Sequence, residues 1–262
     1  ELTVSFDLSR LVAALGFPDG ATVNQRIPKK MLIETGMPTA ADKRAITEGI
    51  DDIQWLAALK PVTVGIPAYQ DEARDYLEIA VLSLNLRPDA KASRIAELVH
   101  RAIPYPTFLM SYSPTGVSIS LAHKRWAQNE AGKTVLDGDV LETNLHSPGR
   151  SDLVQQFVDA LALDKQPRLS LHALYQGWMD TVIALQSAFI TGVFAITSSR
   201  EHAAERHQAL QEVKKLRVEI ARLKAAATKE KQIARQVELN TEIKRLERNE
   251  TQSLRLLRTE KA

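Results

Sequence analysis

The 262-residue sequence contains no cysteine. That excludes disulfides, thiol nucleophiles and every zinc site built on thiolate. Aromatic residues make up only 5% of the chain, so a core must be assembled mainly from aliphatic side chains. The longest nearly apolar run, Val182 to Ile196, carries Gln186 and Ser187 and is shorter than the ~20 residues that span a bilayer. The opening stretch, ELTVSFDLSRLVAALG, places no basic leader ahead of an apolar segment. A cytoplasmic protein with no membrane association is the expectation. Phosphate loops of the GxGxxG or GxxxxGK[ST] kind are missing, as are HExxH and GxSxG. No two of the six histidines stand two or four residues apart, so no metal site and no cofactor is expected.

Glycine and proline are also missing from one part of the chain. None occurs after Gly192, and no aromatic follows Phe194. From Arg200 to Ala262 there are 16 Lys or Arg against 10 Glu and no Asp, a balance of +6. The overall charge of +2 therefore leaves the first 199 residues at −4. This division predicts an α+β body over residues 1–199 and a charged helical, coiled-coil tail over 200–262.

Within the body, Asp7 is placed to cap a short helix that Gly16 ends. Pro28 suits the first turn of a second helix, stopped by Gly36. Thr39 opens a longer one through Leu59, with Ile46, Ile50, Ile53 and Leu56 or Ala57 at helical spacing and Pro61 as its end. Val62–Ile66 and Tyr76–Leu86 read as strands; the second is apolar on both faces, as a central strand is. A helix over Asp89–Ile103 leads to a hairpin of Thr107–Tyr112 and Val117–His123, one side of the latter being less buried. A further hairpin is expected near Asp137-Gly138, then helices over Asp152–Leu163 and Ser170–Thr197. Together these predict an α+β fold, with a mixed or antiparallel sheet and flanking helices. In the tail, Val213, Leu216, Ile220, Leu223 and Ala227 repeat with alternating spacings of three and four, a coiled-coil seam. It breaks at Lys229–Lys231 and resumes through Ile233, Val237, Ile243, Leu246, Leu254 and Leu257, with Asn240 at a seam position. An antiparallel hairpin turning near Ala226–Lys231 is favoured over a continuous helix that would need a second chain.

Several segments in order resemble one prokaryotic and viral family, a domain of unknown function. They are IPKKMLIETG (27–36), the ADKRAITEGIDDIQWLAALKP stretch (41–61), YLEIAVLSLNLR (76–87), HRAIPYP (100–106), LAHKR (121–125) and the charged helical tail. Members of that family are encoded beside DNA methyltransferases and superfamily-2 helicases in restriction-modification-like and phage-defence loci. The resemblance implies an accessory subunit of a defence complex, with a methyltransferase, a helicase or both as partners. It implies no catalytic residues.

The residues themselves leave several readings open. A sheet-based nuclease holds Mg²⁺ with an Asp and a Glu on adjacent strands and a Lys two residues beyond the Glu. Glu78, preceded by Asp71 and Asp75, fits the acidic part, but Ala80 stands at the lysine position. Glu78 is either the centre of a degenerate nuclease or an ordinary strand-end carboxylate. In Ile103-Pro104-Tyr105-Pro106 the two prolines hold Tyr105 extended, as a rigid connector or as an aromatic offered to a partner. Lys124, Arg125 and Trp126 join two cations to an indole, and Lys29 and Lys30 extend a candidate nucleic-acid surface; solvated charge is the plainer reading. Val213, Leu216, Ile220 and Leu223 are the candidate partner-binding residues of the tail. The leading expectation is a non-catalytic assembly subunit that contacts DNA at most locally. The alternatives are the nuclease and a homodimeric DNA-binding regulator that dimerises through the tail.

Overall fold

A computed structural model gives the architecture; it describes residues 8–258 except 37, 129, 131 and 198. The chain divides into two compact units, Glu1–Val182 and Ile183–Ala262.

Caps and turn residues set the early boundaries of the first unit. Helix α1 (Leu8–Leu15) stops at Gly16, which adopts a φ of +64° that costs glycine little. Its expected cap, Asp7, lies outside the described residues. After strand β1 (Thr22–Arg26), Pro28 precedes α2 (Lys29–Thr35), and the Gly36 amide closes that helix on the Leu32 carbonyl. Helix α3 (Ala40–Gly49) begins with a reciprocal cap: Thr39 Oγ1 accepts from the Asp42 amide and Asp42 Oδ2 from the Thr39 amide, each at 3.2 Å.

Helix α3 ends ten residues before the sequence pattern predicts, because Ile50–Leu59 is strand β2. The pattern misleads for a definite reason. Two register shifts against the neighbouring strand, between Ile50 and Asp52 and between Trp55 and Ala57, insert an extra residue each. Ile50, Ile53, Trp55 and Ala58 then share one face, opposite Leu86, Leu84, Leu82 and Ala80. Spacings of three, two and three imitate a helical stripe. A second correction follows at Val62–Ile66. Pro61 opens a helix instead of closing one, α4 (Pro61–Val64), which Gly65 ends at a φ of +64°.

Strands β3 (Tyr69–Gln70) and β4 (Asp75–Tyr76) form a small ribbon ahead of β5 (Ile79–Leu86). Helix α5 (Ala92–Ala102) carries the chain from β5 to β6 (Thr107–Ser113), the one parallel neighbour pair in the main sheet. Strand β7 (Gly116–Leu121) returns from β6 as the expected hairpin. Strands β8 (Lys124–Trp126) and β9 (Thr134–Leu136) make a second ribbon, and β10 (Leu141–Asn144) rejoins the main sheet. The hairpin expected at Asp137-Gly138 is absent: β9 pairs with β8, while β10 pairs with β7. The six-stranded sheet runs β1-β2-β5-β6-β7-β10 and is mixed, as the α+β reading predicts.

Both faces of β5 are buried. One face, with Ala80, Leu82 and Leu84, packs with Ile46 of α3, Leu32 of α2 and Ile95, Leu98 and Val99 of α5. On the other, Phe108, beside Val81, meets Trp178 edge-on at 4.9 Å. Trp178 belongs to α7 (Leu171–Thr191), which follows α6 (Ser151–Ala160). On the expected less-buried side of β7, Ser118 is half-buried, but Ser120 is buried and so is Ala122, just beyond the strand.

The second unit contains the end of α7 and two long helices, α8 (Arg200–Lys229) and α9 (Ile233–Arg258). They form the favoured hairpin. Leu216, Ile220, Leu223 and Ala227 of α8 pack on Ile243 and Leu246 of α9, with Leu239 at the edge. Arg217 pairs with Glu250 at 2.7 Å and Lys224 with Glu247 at 2.8 Å, which sets the antiparallel direction. A turn without glycine is made by Glu230, whose Oε1 accepts from the amides of Lys231 and Gln232. Asn240 is exposed, not at the seam, and Ile233 and Val237 are exposed as well.

Candidate functional site

The three carboxylates of the nuclease reading have separate local roles. Asp71 Oδ1 accepts from the amides of Ala73 (2.8 Å) and Arg74 (2.6 Å), and its Oδ2 accepts from the Tyr69 hydroxyl at 2.7 Å. These bonds hold its carboxyl below the usual range, the tyrosine hydroxyl first among them. Asp71 thus closes the turn between β3 and β4. Glu78 is buried and ion-paired with Lys60 at 3.2 Å. Asp75 has a buried Oδ1 without a hydrogen-bond partner, and burial raises its carboxyl. Among the described residues, no three His, Asp or Glu side chains are grouped to hold a metal ion.

The basic residues are also drawn into the fold. Lys124 is 1% exposed. Its Nζ donates to the carbonyls of His100 and, at 2.6 Å, Ile103, so it satisfies the end of α5. Burial pushes its ammonium down to about 7. A side chain so placed cannot reach a phosphate. Lys29 does for α3 what Lys124 does for α5: its Nζ donates to the carbonyls of Thr47 and Ile50. Lys30 alone of the two is exposed, 3.5 Å from Glu34. Arg125 lies 3.8 Å from Asp137, a carboxylate that also takes Arg74 at 2.7 Å. Trp126 is half-buried and its amide donates to the Ala73 carbonyl. Lys124 is therefore lost to the expected basic-aromatic surface, and Lys29 and Arg125 already have partners.

Tyr105 lies in the bend between α5 and β6, with its carbonyl accepting from Thr107 Oγ1 at 2.9 Å. Its half-exposed ring lies 5.9 Å from Trp55, whose indole N–H is tied to the Ala57 carbonyl. The seam residues Val213, Leu216, Ile220 and Leu223 are all buried within the second unit, and the last three face α9 of the same chain. The large apolar side chains that the unit exposes include Val193, Val218 and Leu256 and, one helical turn apart on α9 beside the turn, Ile233 at 78% and Val237 at 59%.

One cluster in the first unit has no counterpart in any sequence motif. Tyr76 of β4, His123 after β7, and His172 and Tyr175 of α7 pack ring against ring, with His123 stacked on His172 at 5.2 Å and 19°. Tyr69 adds a fifth ring 4.8 Å from His172. The Tyr76 hydroxyl bonds His123 Nδ1; His123 Nε2 bonds Gln176 Oε1 at 2.8 Å; Gln176 Nε2 donates to Asp180 Oδ1 at 2.9 Å. Burial pushes the Tyr76 phenol well up, keeping it protonated. Only the LAHKR string hinted at His123; the partners lie about fifty residues away on either side. Both ring nitrogens of His123 are engaged, so the cluster orients a histidine and does not present an open ligand.

The fold and these sites define an α+β protein with a mixed sheet, a polar-aromatic cluster on one face, and a separate helical hairpin. The chain belongs to the family described as a domain of unknown function, DUF4391, which it matches over residues 15–249. No curated protein and no solved structure matches it. Among the described residues no helix is long and apolar enough to cross a membrane.

Proposed function

We propose that this chain is a non-catalytic assembly subunit whose helical hairpin docks onto a partner protein. The supporting observation is the exposed pair Ile233 and Val237, on a hairpin whose seam is already filled by its own residues. Large apolar side chains one turn apart on an exposed helix are the pattern a partner's groove accepts. The charge-rich flanks of α8 and α9 would set register. By the resemblance of its segments, the partner is a DNA methyltransferase, a helicase or both, in a cytoplasmic phage-defence or restriction-modification-like complex. DNA contact is secondary in this reading, since Lys124 and Lys29 are used as helix caps.

The test is co-purification from the native host, read by mass spectrometry. The wild-type chain should bring down a methyltransferase or helicase. Ile233→Glu with Val237→Glu should lose it while the circular dichroism of the free protein is unchanged. Retention of the partner by that variant would sink the docking role of the tip. A DNA-dependent shift of the protein into a dimer, with no such partner, would favour the homodimeric regulator.

A further inference from the structure

The hydrogen-bond chain Tyr76–His123–Gln176–Asp180 contains its own assignment of hydrogens. A carboxylate only accepts, so Gln176 must turn its NH₂ to Asp180 and its Oε1 to His123. An amide oxygen only accepts, so His123 Nε2 carries a hydrogen. In a neutral imidazole Nδ1 is then an acceptor, and it takes the hydrogen of the Tyr76 hydroxyl. The Lys124 amide acts on the phenol oxygen from the donor side, which agrees with that direction. All four side chains have one consistent arrangement while His123 is neutral.

Protonation destroys it. A second N–H on Nδ1 would have to donate to the Tyr76 oxygen, which turns the hydroxyl hydrogen away from its acceptor on a residue that is wholly buried. The new charge would also sit 5.2 Å from the stacked His172 ring. The groups around His123 include Tyr76 of β4, His172, Tyr175, Gln176 and, through it, Asp180 of α7. The Asp137 amide after β9 bonds the His123 carbonyl, and the Asp137 carboxylate is occupied by Arg74 and Arg125. Tyr69, held by Asp71, backs His172. His123 is thus the link between the β4–β8 side of the first unit and the opening turns of α7.

We propose that neutral His123 is a pH-sensitive latch for the start of α7, engaged when Nδ1 accepts from Tyr76 and released when Nδ1 is protonated. Helix α7 begins in the first unit and ends in the second, so the latch acts on the element by which the chain passes from one to the other.

The experiment uses the 262-residue chain. Long-range ¹⁵N–¹H spectra at pH 7.5 should show His123 as the Nε2–H tautomer; an Nδ1–H tautomer overturns the proposal without any mutation. Hydrogen exchange, corrected for intrinsic rates, should show protection of the Leu171–Asp180 amides falling at least tenfold more between pH 7.5 and 5.0 than that of the Ile79–Leu86 amides, which report the global loss of stability that His100 brings. His172→Gln should keep that excess, while His123→Gln and Tyr76→Phe should abolish it. An unchanged excess in the His123 and Tyr76 variants, or none in the wild type, overturns it. Circular dichroism of each variant at pH 7.5 identifies one that has failed to fold, and the tautomer measurement stands independently of all of them.

Discussion

Lys124 and His100 show how far a residue's environment can reverse the use its type suggests. Lys124 ends an alternating strand, beside Arg125 and Trp126, yet its ammonium is spent on the two carbonyls at the end of α5. Removing it leaves those carbonyls unpaired away from water, at roughly 1–3 kcal/mol. Lys124→Met should therefore lower the stability measured by urea unfolding by about that amount, with no change in affinity for DNA in a titration. His100, fully buried, bonds Ser120 Oγ at 2.9 Å through Nε2, while its Nδ1 has no partner. Burial, with the nearby Lys124 charge adding to it, pushes its imidazole down to about 3. The unfolded chain takes up that proton below about pH 6.5 and the folded one does not. Protons thus favour unfolding, and stability should fall as pH drops from about 6.5 towards 3, by at most ~1.4 kcal/mol per pH unit from this group. His100→Gln should remove that part of the slope; equal slopes in wild type and variant would show that His100 contributes nothing to it.

At the scale of elements, β2 and the hairpin are the informative pair. In β2, two bulges change a strand's period of two into spacings of three, two and three, so periodicity alone assigns the wrong element. The boundary between α3 and β2 is instead held by packing. A Cβ on Gly49 would meet Ile95 Cδ1 at 2.6 Å and Ala90 Cβ at 3.2 Å, where real atoms must move. Gly49→Ala would improve helix propensity, but overpacking of this kind costs ~1–3 kcal/mol. The variant should be less stable than wild type in a urea melt; a gain in stability would refute the close fit of α3 on α5. In the hairpin, Ile220 and Leu223 serve α9, not a partner. Truncating a buried Leu or Ile costs ~2–5 kcal/mol. Ile220→Ala with Leu223→Ala should therefore reduce helicity and the thermal stability of the second unit before any partner is added, and docking should fail only as a consequence.

For the molecule as a whole, the two units have cores of different kinds. The first buries both faces of a central strand; the second buries a single narrow seam. A chain ending at residue 199 keeps every strand and helices α1 to α7. It should melt cooperatively, as followed by near-ultraviolet circular dichroism, and loss of a cooperative transition would refute its independence. The purified 262-residue chain, assayed with and without Mg²⁺, should neither cut nor methylate DNA. The reason is the local engagement of Asp71 and Glu78 and the Ala80 at the expected lysine position. Reproducible cleavage abolished by Glu78→Ala would reinstate the nuclease.

The amino-acid sequence by itself determined the features that depend on neighbours along the chain. It placed the α+β composition, the buried β5, the β6–β7 turn, the cap at Thr39 and the α8 half of the seam, because propensity, capping and periodicity act over a few residues. Tertiary structure alone decided the rest. Whether Ile50–Leu59 is helix or strand depended on pairing with β5 and on two bulges, which no local pattern records. The fates of Lys29 and Lys124 depended on which helix ends lay within reach of their ammonium groups. In the second half of the seam, Leu239 packs on the seam where Val237 and Asn240 are exposed. The His123 cluster gathers residues from 69 to 180, and hydrogen bonds across that separation form only once the sheet and α7 have been packed together.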